Sequence, residues 1–172
     1  MSEFRWKHPK QTLDLRDPTL TEESFDALVR AAFMHRFGIS WRLPDLPERW
    51  RERLARHIEV YQREVRPFVR EGDLRRLTET PRRDGSGEQQ PAFQLSVGDR
   101  HLLLGIALEP ATNGFSIRPA RLHPETNYRL RNLDFDTAEK PSVNTGAIWM
   151  KAGLPLVRQR SYIGVLEPVP RE

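Results

Sequence analysis

Ala92-Phe93-Gln94-Leu95-Ser96-Val97-Gly98-Asp99-Arg100-His101-Leu102-Leu103-Leu104-Gly105-Ile106-Ala107-Leu108 decides the fold. Residues 92–97 and 100–108 read as strands joined by Gly98-Asp99, a two-residue connection of the kind that closes tight β-hairpins. Leu102–Leu108 is apolar on consecutive residues, the pattern of a strand covered on both faces, and Gly105 within it marks a bulge or a close approach of another chain segment. Working outward, Leu74–Thr78 reads as a preceding strand followed by a polar, Gly-containing loop at 81–90. Asn113-Gly114 marks a turn, and Ser116–Arg118, Tyr128–Leu130 and Tyr162–Leu166 read as further short strands. Gly146–Lys151 reads as one helical turn ended by Gly153. Short strands at close spacing predict an antiparallel β-sandwich of about six to eight strands.

Ahead of Leu74 the apolar period changes. Thr19 and Glu22 have capping-box spacing, and Phe25, Leu28, Val29, Ala32 and Phe33 form one helical stripe, with Gly38 as a stop. Ile39–Leu43 reads as a short strand ended by Pro44. A second helix starts after Pro47, with apolar Trp50, Leu54, Ile58, Tyr61 and Val65, and Pro67 ends or bends it. Residues 1–18 carry Pro9, Pro18 and mixed charge without periodicity and read as an extended arm. The expectation is an α+β chain in three parts: an arm at 1–18, helix-strand-helix at 19–67 and an antiparallel β-sandwich at 68–172.

The 172 residues suit one domain with attached pieces. The absence of cysteine excludes disulfides, thiolate metal sites and a Cys nucleophile. No apolar run approaches the roughly 18 residues of a membrane-spanning helix, and the start, Met1–His8, has charge without a following apolar region. A soluble, cytoplasmic chain is the expectation, with no membrane partner. The net charge of +4 and the pI of 9.8 raise nucleic-acid binding as an alternative. The positive charge is dispersed among acids, as in Glu48-Arg49-Trp50-Arg51-Glu52-Arg53, and no nucleic-acid motif accompanies it, so no nucleic-acid partner is expected.

The five histidines, His8, His35, His57, His101 and His123, fit no metal-ligand spacing, and His35 and His57 read as helix-surface or packing residues. Asp134 and Asp136 flank Phe135 as a carboxylate pair, yet their place after a strand and before a polar stretch reads as a surface turn. No Ser stands in a nucleophile elbow, and Gly85-Ser86-Gly87 lacks the Lys of a phosphate loop. No cofactor and no metal are expected. Among the four tryptophans, Trp50 sits on the helical stripe, whereas Trp41 stands at the end of a short strand before a Pro-rich turn.

Several stretches carry a family likeness. Phe37-Gly38-Ile39-Ser40-Trp41, the long helix ending in Val65-Arg66-Pro67, and Gly72-Asp73-Leu74 with Arg76-Leu77-Thr78 resemble, in this order, the last part of family 36 glycoside hydrolases, the α-galactosidase group. Leu122–Asp134 and Thr145–Leu156, the latter with Gly146-Ala147, Met150 and Gly153-Leu154-Pro155, are similar to that family's late segments. The likeness covers roughly residues 20–168.

The resemblance implies that 21–37, 38–42 and 47–66 correspond to the seventh helix, eighth strand and eighth helix of a (β/α)₈ barrel and 74–168 to a C-terminal β-sandwich. A complete barrel takes about 250 residues and does not fit in this chain. The family's two catalytic aspartates lie on earlier barrel strands and match no position here, so no catalytic residue is expected. Active sites of such barrels are built at the C-terminal ends of the strands. Trp41 and Arg42 are therefore the candidate sugar-binding residues. The function expected is a non-catalytic C-terminal portion of an α-galactosidase-like hydrolase, binding a galactoside only when the rest of the barrel is supplied. An unpaired strand and two half-covered helices leave three resolutions: the helices pack on the sandwich, the chain pairs with a second copy or an upstream catalytic chain, or it is a truncated gene product, which the unfamiliar residues 1–18 favour. A free-standing carbohydrate-binding sandwich is the alternative, and it needs exposed, coplanar rings among Phe93, Phe115, Tyr128, Trp149 and Tyr162.

Overall fold

The computed structural model describes residues 15, 17–34, 37–39, 42–80, 88–108, 114–135, 142–154, 157 and 159–170. Helix α1, Glu22–Ala31, begins two residues later than its capping-box spacing suggests. Asp17 holds both the backbone N–H (2.8 Å) and the hydroxyl (2.7 Å) of Thr19, and the Thr21 hydroxyl accepts from the Ser24 N–H at the true N-cap. Its stripe continues through a 3₁₀ turn, Ala32–Met34, that buries Phe33.

Residues 37–39 and 42 are irregular, and Leu43–Asp45 form a 3₁₀ turn. Of the strand expected at 38–42, residues 40 and 41 lie outside the described residues. Helix α2, Glu48–Val60, runs on through a widened turn, Tyr61–Val65, into α3, Arg66–Glu71. Pro67 therefore does not end the helical path. The Arg66 N–H bonds to the Tyr61 carbonyl five residues back, which spares the proline ring a clash with the carbonyl four residues before it.

Six strands form one antiparallel sheet: β1 Asp73–Arg76, β2 Ala92–Val97, β3 Arg100–Ile106, β4 Asn127–Asn132, β5 Ser142–Thr145 and β6 Ser161–Pro168, in the order β1-β2-β3-β6-β4-β5. The hairpin closes as its sequence implies, with Val97 opposite Arg100 and Gly98 at φ 54°. β3 and β6 occupy the middle and are buried on both faces, which is why Leu102–Ile106 is continuously apolar.

Alternation sorts the sheet into two cores. Leu95, Leu102, Leu104, Ile163 and Val165 face the helices, where Phe25 stacks on Trp50 with centroids 4.6 Å apart. Leu103, Tyr128, Leu130, Tyr162 and Leu166 face the other way. Among the described residues this second face is covered by Phe115, Ile117, Leu122 and Leu154 from irregular chain and by Trp149 from helix α4, Gly146–Ala152. The strand expected at Ser116–Arg118 does not form: those residues are irregular, and the preceding Phe115 makes an isolated bridge to Val157. A Cβ on Gly105 would stand 2.6 Å from the Phe115 ring and 2.7 Å from Ile117 Cδ1, so the glycine marks a close approach between layers. Among the described residues no helix is long and apolar enough to cross a membrane.

Candidate functional site

The helical layer meets the sheet through a buried ionic cluster. Asp26 and Arg30 stand one turn apart on α1, Arg53 and His57 one turn apart on α2, Asp134 follows β4, and Ser161 opens β6; all six are buried. Arg53 grips Asp26 with two donors, Nε to Oδ1 at 2.6 Å and Nη2 to Oδ2 at 2.7 Å, and its Nη1 reaches Glu22 at 2.8 Å. The planar guanidinium matches a carboxylate in this fork geometry. His57 Nε2 lies 2.7 Å from Asp26 Oδ1. Arg30 reaches across the layers, with Nη2 3.1 Å from Asp134 Oδ1 and Nη1 3.2 Å from Oδ2, and it donates to the Ser161 hydroxyl at 3.1 Å. Phe135 closes the side of the cluster, its centroid 4.8 Å from that of His57 and 4.0 Å from the Arg56 guanidinium carbon.

Burial alone would raise the Asp26 pKa. The hydrogen bonds from His57 and Arg53, with the charge of Arg30, outweigh it and bring the group down from 3.8 to about 2. Burial moves His57 the other way, below its ordinary value, against the pull of Asp26. A neutral His57 donating from Nε2 to an ionised Asp26 satisfies both shifts. Two aspartates then face two arginines within the buried layer, and the charges balance.

This arrangement ties the helical layer to the sheet. A carboxyl group near pKa 2, engaged by arginine and histidine donors, is a poor general acid or base near neutral pH. Asp134, read from sequence as a surface turn residue, is buried because Arg30 draws it inward, whereas Asp136 lies outside the described residues. His57 is a packing residue, and His35 lies outside the described residues.

Of the two expected sugar-binding residues, Trp41 lies outside the described residues. Arg42 is exposed, and its Nε sits 3.5 Å from Asp45 Oδ2 within the 43–45 turn. The rings proposed for a binding module turn inward: Phe115, Tyr128, Trp149 and Tyr162 are buried and Phe93 is half-buried. Trp149 Nε1 donates to the Tyr128 carbonyl at 3.1 Å, and Tyr128 donates no face to solvent.

A second buried polar set pins the layer over the opposite face. Gln94 donates to the Ala120 carbonyl and accepts from the Ala120 N–H, both at 2.9 Å, while His101 Nδ1 lies 2.9 Å from the Ser96 hydroxyl. Sequence reasoning missed both sets. The signal available was the placing of Asp26 and Arg30 beside Phe25 and Val29, and of Arg53 and His57 beside Leu54 and Ile58, at four-residue spacing along the edges of the apolar stripes.

No family model and no curated protein matches this sequence. Solved structures do. An α-galactosidase of glycoside hydrolase family 36 from Geobacillus stearothermophilus, AgaA, matches with a TM-score of 0.62 at 19% identity over 81% of this chain. The fold is similar to a portion of a family 36 α-galactosidase. The Lactobacillus brevis α-galactosidase matches with a TM-score of 0.64 at 16% identity over 82% of this chain, and Geobacillus stearothermophilus AgaB with 0.57 at 21% over 73%. The chain covers only 19%, 19% and 17% of those three chains, respectively.

Proposed function

We propose that the chain is a non-catalytic portion of an α-galactosidase-like glycoside hydrolase, the part that ends a catalytic barrel and caps it with a β-domain. In this reading α1 is the seventh helix of the barrel, and the 38–42 segment with the α2–α3 helix forms its last β/α unit. The sheet with its covering layer is the C-terminal sandwich-like domain, and Trp41 and Arg42 line a sugar pocket only in the assembled enzyme. The observation that supports it is the size of the likeness: about four-fifths of this chain against under a fifth of the α-galactosidases. The ionic cluster adds to it. Retaining glycoside hydrolysis needs two carboxyl groups about 5–5.5 Å apart across the scissile bond. Asp26 and Asp134, buried by arginines, are not available for that role.

The test is hydrolysis of an aryl α-galactoside by the purified chain. The expected result is a rate no higher than buffer; turnover abolished by a point substitution within this chain overturns the proposal.

A further inference from the structure

A groove of about 810 Å³ runs between residues 37–39 and the outer face of the α2–α3 helix, away from the ionic cluster. Its apolar lining comes from Phe37, Ile39, Ile58, Tyr61 and Val69, all half-buried. Gln62, Arg66 and Arg70, spaced by four along the helix, form one rim. Among the described residues neither Arg66 nor Arg70 forms an ion pair. Glu59 and Glu64 are engaged by Arg63, and Glu64 also by Arg131 at 2.9 Å, while Glu71 and Asp73, exposed just beyond Arg70, make no ion pair with either arginine. On the opposite wall, no described residue pairs with the backbone N–H or C=O groups of Gly38 and Ile39.

Three features thus converge on this groove: apolar side chains, main-chain donors and acceptors that no described residue engages, and two arginines that form no ion pair among the described residues. We infer that this groove docks a protein segment of matching chemistry, an extended stretch with apolar side chains on one face and carboxylates on the other. Its apolar residues fill the floor, its main chain bonds to residues 38–39, and its acids meet Arg66 and Arg70. Main-chain pairing supplies affinity in such complexes, while side-chain pockets and charge select the partner. The inference goes beyond the hydrolase reading and stands without it, because it uses only the groove's own lining.

The probe is a fluorescein-labelled peptide of about ten residues, the length of a long strand, alternating Val or Leu with Glu. The control is the same peptide with Lys at each Glu position. Anisotropy with the full chain is expected to show binding by the Glu peptide and at least about tenfold weaker binding by the Lys peptide. Arg66→Glu with Arg70→Glu is expected to reverse that preference, and both side chains are exposed, so circular dichroism is expected to match wild type. Absence of binding up to about 1 mM of peptide overturns the inference, as does a preference left unchanged by the double substitution. Concentration-dependent dimerisation lost in the same variant assigns the groove to a second copy of the chain and also overturns it. Neither result bears on the galactoside assay, which decides the hydrolase reading separately.

Discussion

Replacing Asp26 with Asn isolates the ionic cluster from shape effects. Asn fills the same volume, but it removes the charge that Arg53, Arg30 and His57 surround, and it sets an amide donor against one of the two donors of Arg53. The fall of the Asp26 pKa from 3.8 to about 2 is nearly two units, and at about 1.4 kcal/mol per unit the ionised form contributes roughly 2 kcal/mol to folding. The donor clash and the uncompensated guanidinium extend the expected loss to about 2–4 kcal/mol. The sign of the pH dependence follows from the lowered pKa. The contribution is complete above about pH 4 and is lost as the pH falls through about 2, because the unfolded chain takes up the proton first. Urea unfolding followed by tryptophan fluorescence, repeated from pH 7 down to pH 3, measures both. Asp26→Asn is expected to lower the midpoint at pH 7 and to flatten part of the acid limb. A variant with the wild-type midpoint and an unchanged acid limb refutes the fastening role assigned to the cluster.

Phe25→Ala removes the ring stacked on Trp50 and is expected to cost about 3–5 kcal/mol, read from the same urea midpoint. Gly105→Ala forces Phe115 and Ile117 away from β3 and is expected to destabilise by about 1–3 kcal/mol, whereas an unchanged thermal midpoint contradicts the close approach. His57, its pKa lowered chiefly by burial, is expected to be less protonated at pH 6.5 than a free imidazole, which is about half protonated there; its NMR ring shifts check this. The stability that comes with this neutral form is complete above about pH 6.5 and declines as the pH falls toward the depressed value.

What was legible in the sequence was local. The β2–β3 hairpin follows from alternation and Gly98-Asp99, and both helices follow from stripes anchored by Phe25 and Trp50. Pro67 was legible as a perturbation but not as one the helix absorbs, because the widened turn depends on a carbonyl five residues away. The start of α1 slipped because Asp17 competes for Thr19. The cluster was illegible for a different reason. Arg30 and Asp134 are 104 residues apart, and neither side chain carries a local mark of burial. A charged residue near the edge of a stripe looks the same from sequence whether it meets water or a distant carboxylate.

The likeness to α-galactosidases belongs to the fold alone, since identities of 16–21% do not carry residue roles across. The proposed role is one of support: the Arg53–Asp26 pair joins the two helices, Arg30 with Asp134 and Ser161 ties them to the sheet, and in this reading the acids that cleave a sugar bond are supplied from elsewhere. The most direct measurement is intact mass spectrometry of the purified chain after incubation with a 2-fluoro galactosyl fluoride, which traps a carboxylate nucleophile as a glycosyl ester. An unchanged mass is the result predicted; a galactosyl adduct mapped to an Asp or Glu of this chain contradicts it.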